Sequence, residues 1–180
     1  IYYSALFSLI EAIKNGVTTI IDHHSSPFAI DGSLQIIERA FKELKLKGAL
    51  CYEVSDRDGK ECFEKAIEEN VTFIKNHKND ETIKGLFGLH ASFTLSDDSL
   101  NIVSKIGNEL NSGFHIHCAE DKIDVEFAQQ CGYKGVIERL EHFKILSEKT
   151  ILAHCIHISD AEIEIIKKYN TIVVHNPTSN

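Results

Sequence analysis

Five apolar runs in this 180-residue chain end on a histidine: VTTIIDH at His23, KGLFGLH at His90, GFHIH at His117, TILAH at His154 and TIVVH at His175. Runs of that length, bounded by Gly, Ser and Asp and separated by helical patterns, read as buried parallel strands. A residue type repeated at the ends of successive parallel strands collects at one edge of the sheet. Imidazole after imidazole at one edge predicts an active site there.

The rest of the chain fits that reading. Residues 1–15 carry apolar positions at Leu6, Leu9, Ile10 and Ile13, a helical period closed by Asn15-Gly16. Beyond it the pattern predicts strands over 17–21, 48–52, 84–89, 113–117, 150–154 and 171–175. Helices are expected over 33–45, 60–76, 99–110, within 121–146 and over 160–169. A strand-to-strand spacing of roughly thirty residues suits right-handed crossovers between parallel strands. Pro27 and Pro177 are the only prolines and both lie just after strands, so residues 1–180 are expected to form a single unit.

An open doubly wound sheet and a (β/α) barrel both match such alternation. The first βα turn, DHHSSPF, has no glycine-rich phosphate cradle, and no GxGxxG or Walker pattern occurs, which disfavours nucleotide-binding Rossmann folds. A barrel builds its site from the C-terminal ends of several strands, where these histidines fall. Six strands are two short of a full barrel. The expected fold class is therefore α/β, a (β/α)8-barrel fragment covering about strands 2–7 and truncated at both ends. A start at Ile1 inside a helical pattern and the lack of any Met agree with a piece of a longer protein.

Composition narrows the partners. A net charge of -8 with scattered basic residues argues against nucleic acid or an anionic membrane, both of which attract clustered Lys and Arg. Cys51, Cys62, Cys118, Cys131 and Cys155 are an odd set without a CxxC pair, which points to a reducing, cytoplasmic setting. No apolar stretch is long enough to cross a bilayer.

GFHIHCAED, residues 113–121, carries the most chemistry. His115 and His117 lie two apart on a strand and share a face, Cys118 points away, and Glu120 falls just past the strand end. Such a His-x-x-Glu offers a metal ligand at His117 and a carboxylate able to move protons on a metal-activated water. The plainer alternative is a buried histidine beside an acid that caps the next helix. In TILAHCIHIS, His154 ends a strand and His157 enters the loop; neutral imidazole suits metal ligation or the polarising of water. In GLHASFTLSDDSL, His90 is a candidate substrate contact, while Ser96, Asp97 and Asp98 are assigned to opening a helix. Of Asp22, His23 and His24, alternation admits only some to the interior, and His23 is the substrate-side candidate. HNPTSN reads as a turn in which Asn176 bonds its neighbours or reaches substrate. The PCxxC of cytidine-deaminase-type zinc sites and the GxSxG elbow of serine hydrolases are both missing.

Taken in order, GVTTIIDHH, GLHASFTLSDDSL, FHIHCAED, ILAHCIH and VVHNPTSN resemble the amidohydrolase superfamily, in its branch of metal-dependent deaminases and chlorohydrolases, nearest the SsnA group of aminohydrolases. The similarity spans nearly the whole chain. It implies a (β/α)8 barrel with one divalent metal, zinc or iron, held by His117 at the end of the fifth barrel strand. It also implies Glu120 as proton shuttle, His154 at the end of the sixth strand orienting the hydrolytic water, and His90 at the end of the fourth touching substrate. The first-strand His-x-His and eighth-strand Asp of such sites are expected outside this chain. His115-Ile116-His117 is not taken as that His-x-His, because several strands precede it; His115 is then placed in a deeper layer. The implied reaction is hydrolytic deamination of a purine or related amino-substituted heterocycle, with chlorohydrolase chemistry open on the same site. A catalytically inactive barrel fragment is the alternative from another class: its unpaired sheet edges would serve binding or assembly, including a homo-oligomer.

Overall fold

Each apolar run forms a strand that pairs in parallel with its successor. The computed structural model describes residues 1–179, so Asn180, which closes HNPTSN, lies outside the described residues. Helix α1 (Tyr2–Lys14) leads into β1 (Thr19–His24), α2 (Ser33–Leu44), β2 (Lys47–Tyr52), α3 (Gly59–Asn76), β3 (Ile83–Gly85) and β4 (Phe87–Ala91). A 3-10 turn (Ser92–Thr94) precedes α4 (Asp97–Glu109), β5 (Phe114–Cys118), α5 (Lys122–Gln130), α6 (Val136–His142), β6 (Ile151–His154), α7 (Asp160–Tyr169) and β7 (Ile172–Val174). β1 reaches His24, further than the alternation predicts, so His23 and His24 belong to the strand and not to the loop after it.

The strand expected over 84–89 is creased at Leu86. Its first half pairs with β2, from Gly48↔Ile83 to Leu50↔Gly85, and its second half pairs with β5 from Phe87↔Phe114 onward. Backbone bonds close the crease: Leu86 N–H donates to Leu50 O at 3.0 Å, Val54 N–H to Gly88 O at 3.1 Å and His90 N–H to Val54 O at 2.9 Å. The two sheets thus make one curved wall in the order β1, β2, β3/β4, β5, β6, β7. Gly88 is required at the bend, because a Cβ there would overlap the Tyr52 carbonyl.

Helices cover the outer side of this wall. Leu34, Ile37 and Phe41 form the buried stripe of α2, and they join Leu50, Phe73, Leu100, Phe114, Ile116 and Leu140 in one cluster. Ser96 caps α4 by accepting from Ser99 N–H, as its sequence suggests, and Ser159 with Glu162 forms a capping box on α7. Only part of the α1 stripe packs: Leu9 is buried, whereas Ile10 and Ile13 are exposed. Among the described residues no helix is long and apolar enough to cross a membrane.

Arg139 of α6 braces the exit of β4 from behind. It has no solvent exposure. Its Nη1 donates to Ser92 O at 2.5 Å and Ser92 Oγ at 2.7 Å, and its Nη2 to Leu95 O at 2.7 Å and Asp97 Oδ1 at 2.8 Å. The guanidinium lies over the rings of Phe127 and Phe143, at 5.2 and 5.8 Å from their centroids.

Candidate active site

Alternation on β5 sends Phe114, Ile116 and Cys118 into the core and leaves His115 and His117 on the inner side of the wall. His117 Nδ1 is 2.9 Å from the carbonyl oxygen of His90. A carbonyl only accepts, so Nδ1 carries the hydrogen and Nε2 keeps its lone pair. His90 is set in the same way. Its Nδ1 is 2.9 Å from Thr94 Oγ1, whose proton goes to Ala91 O at 2.9 Å, so His90 Nδ1 donates and its Nε2 is left as acceptor.

His154 arrives by another route. The register pairs it with Cys118, which faces the helices, so regular alternation would send His154 outward too. Instead φ is 77° at His154 and 53° at Cys155, and this left-handed turn swings the imidazole inward to 5.6 Å from the ring of His117. Non-glycine residues held in such conformations cost on the order of 1–3 kcal/mol, and they cluster at functional sites. Ala119, with φ 47°, makes the matching turn after β5. Glu120 leaves that turn with Oε1 3.5 Å from His154 Nε2 and its side chain 47% exposed. The cap of α5 is Asp121, which accepts from Ile123 N–H at 3.0 Å. Glu120 is therefore not occupied by the helix.

His23 packs its ring 4.6 Å from that of His117 and 4.7 Å from that of His115. Burial first, then the neighbouring imidazoles, holds His23 well below the usual histidine range, and similar causes bring His115 down to about 4. Glu53, which the motif reading passed over, stands just beyond β2 with Oε2 3.8 Å from His23 Nε2, and Arg57 holds it at 2.6 Å. It occupies a strand end, so the rule used for histidines would have found it if applied to acids. His23, Glu53 and His117 each offer a ligand atom within 4.8 Å of the others. Asp22 and His24 take the opposite face and line a recess beside α1 and α2 with Ser4 and Phe41. Asp124, also unforeseen, accepts from Phe93 N–H at 3.0 Å and Ala119 N–H at 2.8 Å, tying the exits of β4 and β5 together, while burial raises it to about 6.

His90, His117, Glu120 and His154 open onto a cavity of about 420 Å³ that Phe93, Asp124 and Asn176 also line. That volume is ordinary for a small-molecule site. Of the five strand-end histidines, His23, His90, His117 and His154 form a continuous set of ring contacts. His175 departs from the expectation: it lies one residue past β7 and is exposed, and its neighbour Asn176 reaches the cavity wall.

Burial, then Arg57 and His117, lowers His90 to about 4. A histidine lowered on folding contributes its full stability above the free value near 6.5 and loses it as pH falls through 4. An NMR titration is expected to show His90 neutral and protonated at Nδ1 at pH 6, with a midpoint near 4. A midpoint of 6 or higher would contradict this environment.

The Amidohydrolase family matches residues 1–180. The chain is 32% identical over 182 residues to the 5-methylthioadenosine/S-adenosylhomocysteine deaminase of Thermoanaerobacter pseudethanolicus, covering 100% of this chain and 41% of that protein. It is 33% identical over 181 residues to the 5'-deoxyadenosine deaminase of Methanobrevibacter smithii, covering 99% of this chain and 40% of that one. It thus spans about two fifths of these relatives. Among solved structures, the zinc-bound adenosine deaminase from Xanthomonas campestris superposes with a TM-score of 0.83 at 18% identity, over 96% of this chain and 38% of that chain. The zinc complex of atrazine chlorohydrolase TrzN from Arthrobacter aurescens gives 0.82 at 16% identity, over 95% and 41%. The curved parallel wall is therefore part of the barrel those enzymes share, and with the family match running from end to end, this chain belongs to the amidohydrolase family.

Proposed function

We propose that this chain carries catalytic strands of a metal-dependent hydrolase that removes the amino group of a purine or related heterocycle and releases ammonia. One observation supports this above the others: His117, with Nε2 left as a lone-pair donor, lies between His90 on one side and His154 with Glu120 on the other, all on one cavity. The relatives named as nucleoside deaminases support the substrate class.

The donor set fits a divalent metal, zinc or iron. His117 would hold it, since its outer nitrogen is already hydrogen-bonded and its inner one is uncommitted, and Glu53 and His23 bring further donor atoms within range. The first-strand His-x-His and eighth-strand Asp that the family resemblance implies would complete the set from outside this chain. When bound, such an ion acidifies water towards a pKa of about 7. Glu120, half exposed beside His154, takes one proton of the attacking water and passes it to the ring nitrogen, then takes the remaining hydroxyl proton of the tetrahedral adduct and passes it to the departing amine. His154, buried and turned inward, orients that water. His90 accepts a hydrogen bond from the substrate through Nε2, Asn176 contacts it from the opposite strand end, and His23 supports His117 from behind. The substrate is a small molecule, and five free cysteines suit a cytoplasmic setting.

The intact, metal-replete protein should be screened for ammonia release from purines, pterins and aminotriazines. Release from the purine group, abolished by a chelator, is expected. Chloride released from chlorotriazines without any ammonia would move the assignment to chlorohydrolase, and no release of either would favour an inactive module.

A further inference from the structure

Behind His117, three side chains from three strands meet on the inner side of the wall: His23 of β1, Cys51 of β2 and His115 of β5. Cys51 Sγ lies 3.6 Å from His23 Nδ1 and 3.6 Å from His115 Nδ1. Cys51 is fully buried, His115 is 8% exposed and the His23 side chain 10%. The thiol donates its one proton to the Asp22 carbonyl oxygen at 3.4 Å and can accept from the two imidazoles, so the atom of this cluster left without a hydrogen bond is Nε2 of His23.

The same three donor atoms are spaced as ligands of a cation would be. In a tetrahedral centre with metal–sulfur bonds of about 2.3 Å and metal–nitrogen bonds of about 2.05 Å, sulfur and nitrogen stand about 3.5–3.6 Å apart. That spacing is already present on both sides of Cys51. His23 adds an independent sign. Its Nε2 is buried with no hydrogen-bond partner, and the Glu53 carboxylate is 3.8 Å away, on the side where a ligating histidine keeps its supporting carboxylate.

We propose that His23 Nδ1, Cys51 Sγ and His115 Nδ1 form a second cation site, for a thiophilic divalent ion of the zinc class. Binding forms the metal–thiolate bond and releases the thiol proton to solvent. None of the three residues lines the cavity of His117 and Glu120, and Cys51 and His115 take no part in the proposed hydrolase chemistry. The ion would tie β1 and β2 to β5 across the barrel interior, as a strut under the catalytic face.

The test is to titrate the metal-free intact protein with cobalt(II) as a spectroscopic substitute for zinc. A thiolate-to-cobalt charge-transfer band that saturates by two equivalents, one ion for each site, is expected, lost in Cys51→Ala and kept in His117→Ala. X-ray absorption on the zinc-loaded wild-type protein should show a sulfur scatterer at about 2.3 Å. That measurement needs no variant and holds even if Cys51→Ala fails to fold. Purely nitrogen and oxygen ligation in the wild type, survival of the band in folded Cys51→Ala, or its loss in folded His117→Ala each overturns the proposal; the first would place the ion at His23, Glu53 and His117 instead.

Discussion

Glu120→Gln in the intact protein is expected to lower turnover by about 10²- to 10⁴-fold, the usual contribution of a general acid–base group. The substitution preserves size and a polar group beside His154 but removes the proton-transferring carboxylate. Because Asp121 and not Glu120 caps α5, the helix should be untouched and the melting temperature nearly unchanged. Metal content should also hold, since Glu120 is assigned to proton transfer, whereas His117→Ala should strip the metal. Turnover close to that of the unsubstituted protein would make Glu120 an ordinary surface acid beside a buried imidazole.

Arg139→Met should cost roughly 3–5 kcal/mol in folding stability, because buried acceptors left without a donor cost about 1–3 kcal/mol each, and the loss is read as a lower midpoint in urea at unchanged slope. Methionine fills much of the space. It leaves the carbonyls of Ser92 and Leu95 and the hydroxyl of Ser92 without their donor, in a place water does not reach. Asp97, the partner in its ion pair among the described residues, is 48% exposed, so Asp97→Asn should cost under about 1 kcal/mol. The contrast separates the two roles: Arg139 acts mainly as a buried donor to backbone, and only secondarily as half of an ion pair. A loss below about 1 kcal/mol for Arg139→Met would mean that the segment after β4 is held by its apolar contacts alone. The same segment carries Phe93 and Thr94, so a loosened brace should also disturb His90.

Apolar runs bounded by turn residues were enough to find the strands, and alternation along them placed His115 and His117 on one face, since a strand buried on both sides must still divide its side chains. It could not place His154, because the residue reaches the cavity by leaving the strand conformation; its inward direction comes from a positive φ. The crease at Leu86 was equally illegible. A strand that changes partners midway has the same apolar run as one that does not, and only Gly88, seated against Tyr52, marks the bend. Glu53 and Asp124 were missed for a simpler reason: acids near strand ends and helix starts are common, and what distinguishes these two is a burial that depends on distant parts of the chain. His175 shows the converse error. Its run ends like the others, but β7 stops at Val174 and the backbone there turns Asn176 towards the cavity in its place.

The spatial order of the strands is also the order of their synthesis. Each strand docks on the one made just before it, so every step closes a loop of similar, modest length, and the entropy lost at each is nearly constant. The chain can therefore lay down its wall from the ribosome outward without waiting for a distant partner. The emerging edge, with its unpaired N–H and C=O groups, is always the last strand completed, which makes the partial wall the adhesive species during biogenesis. Defects in α2 or β2 would act at that stage, before the strands bearing His117 and His154 exist.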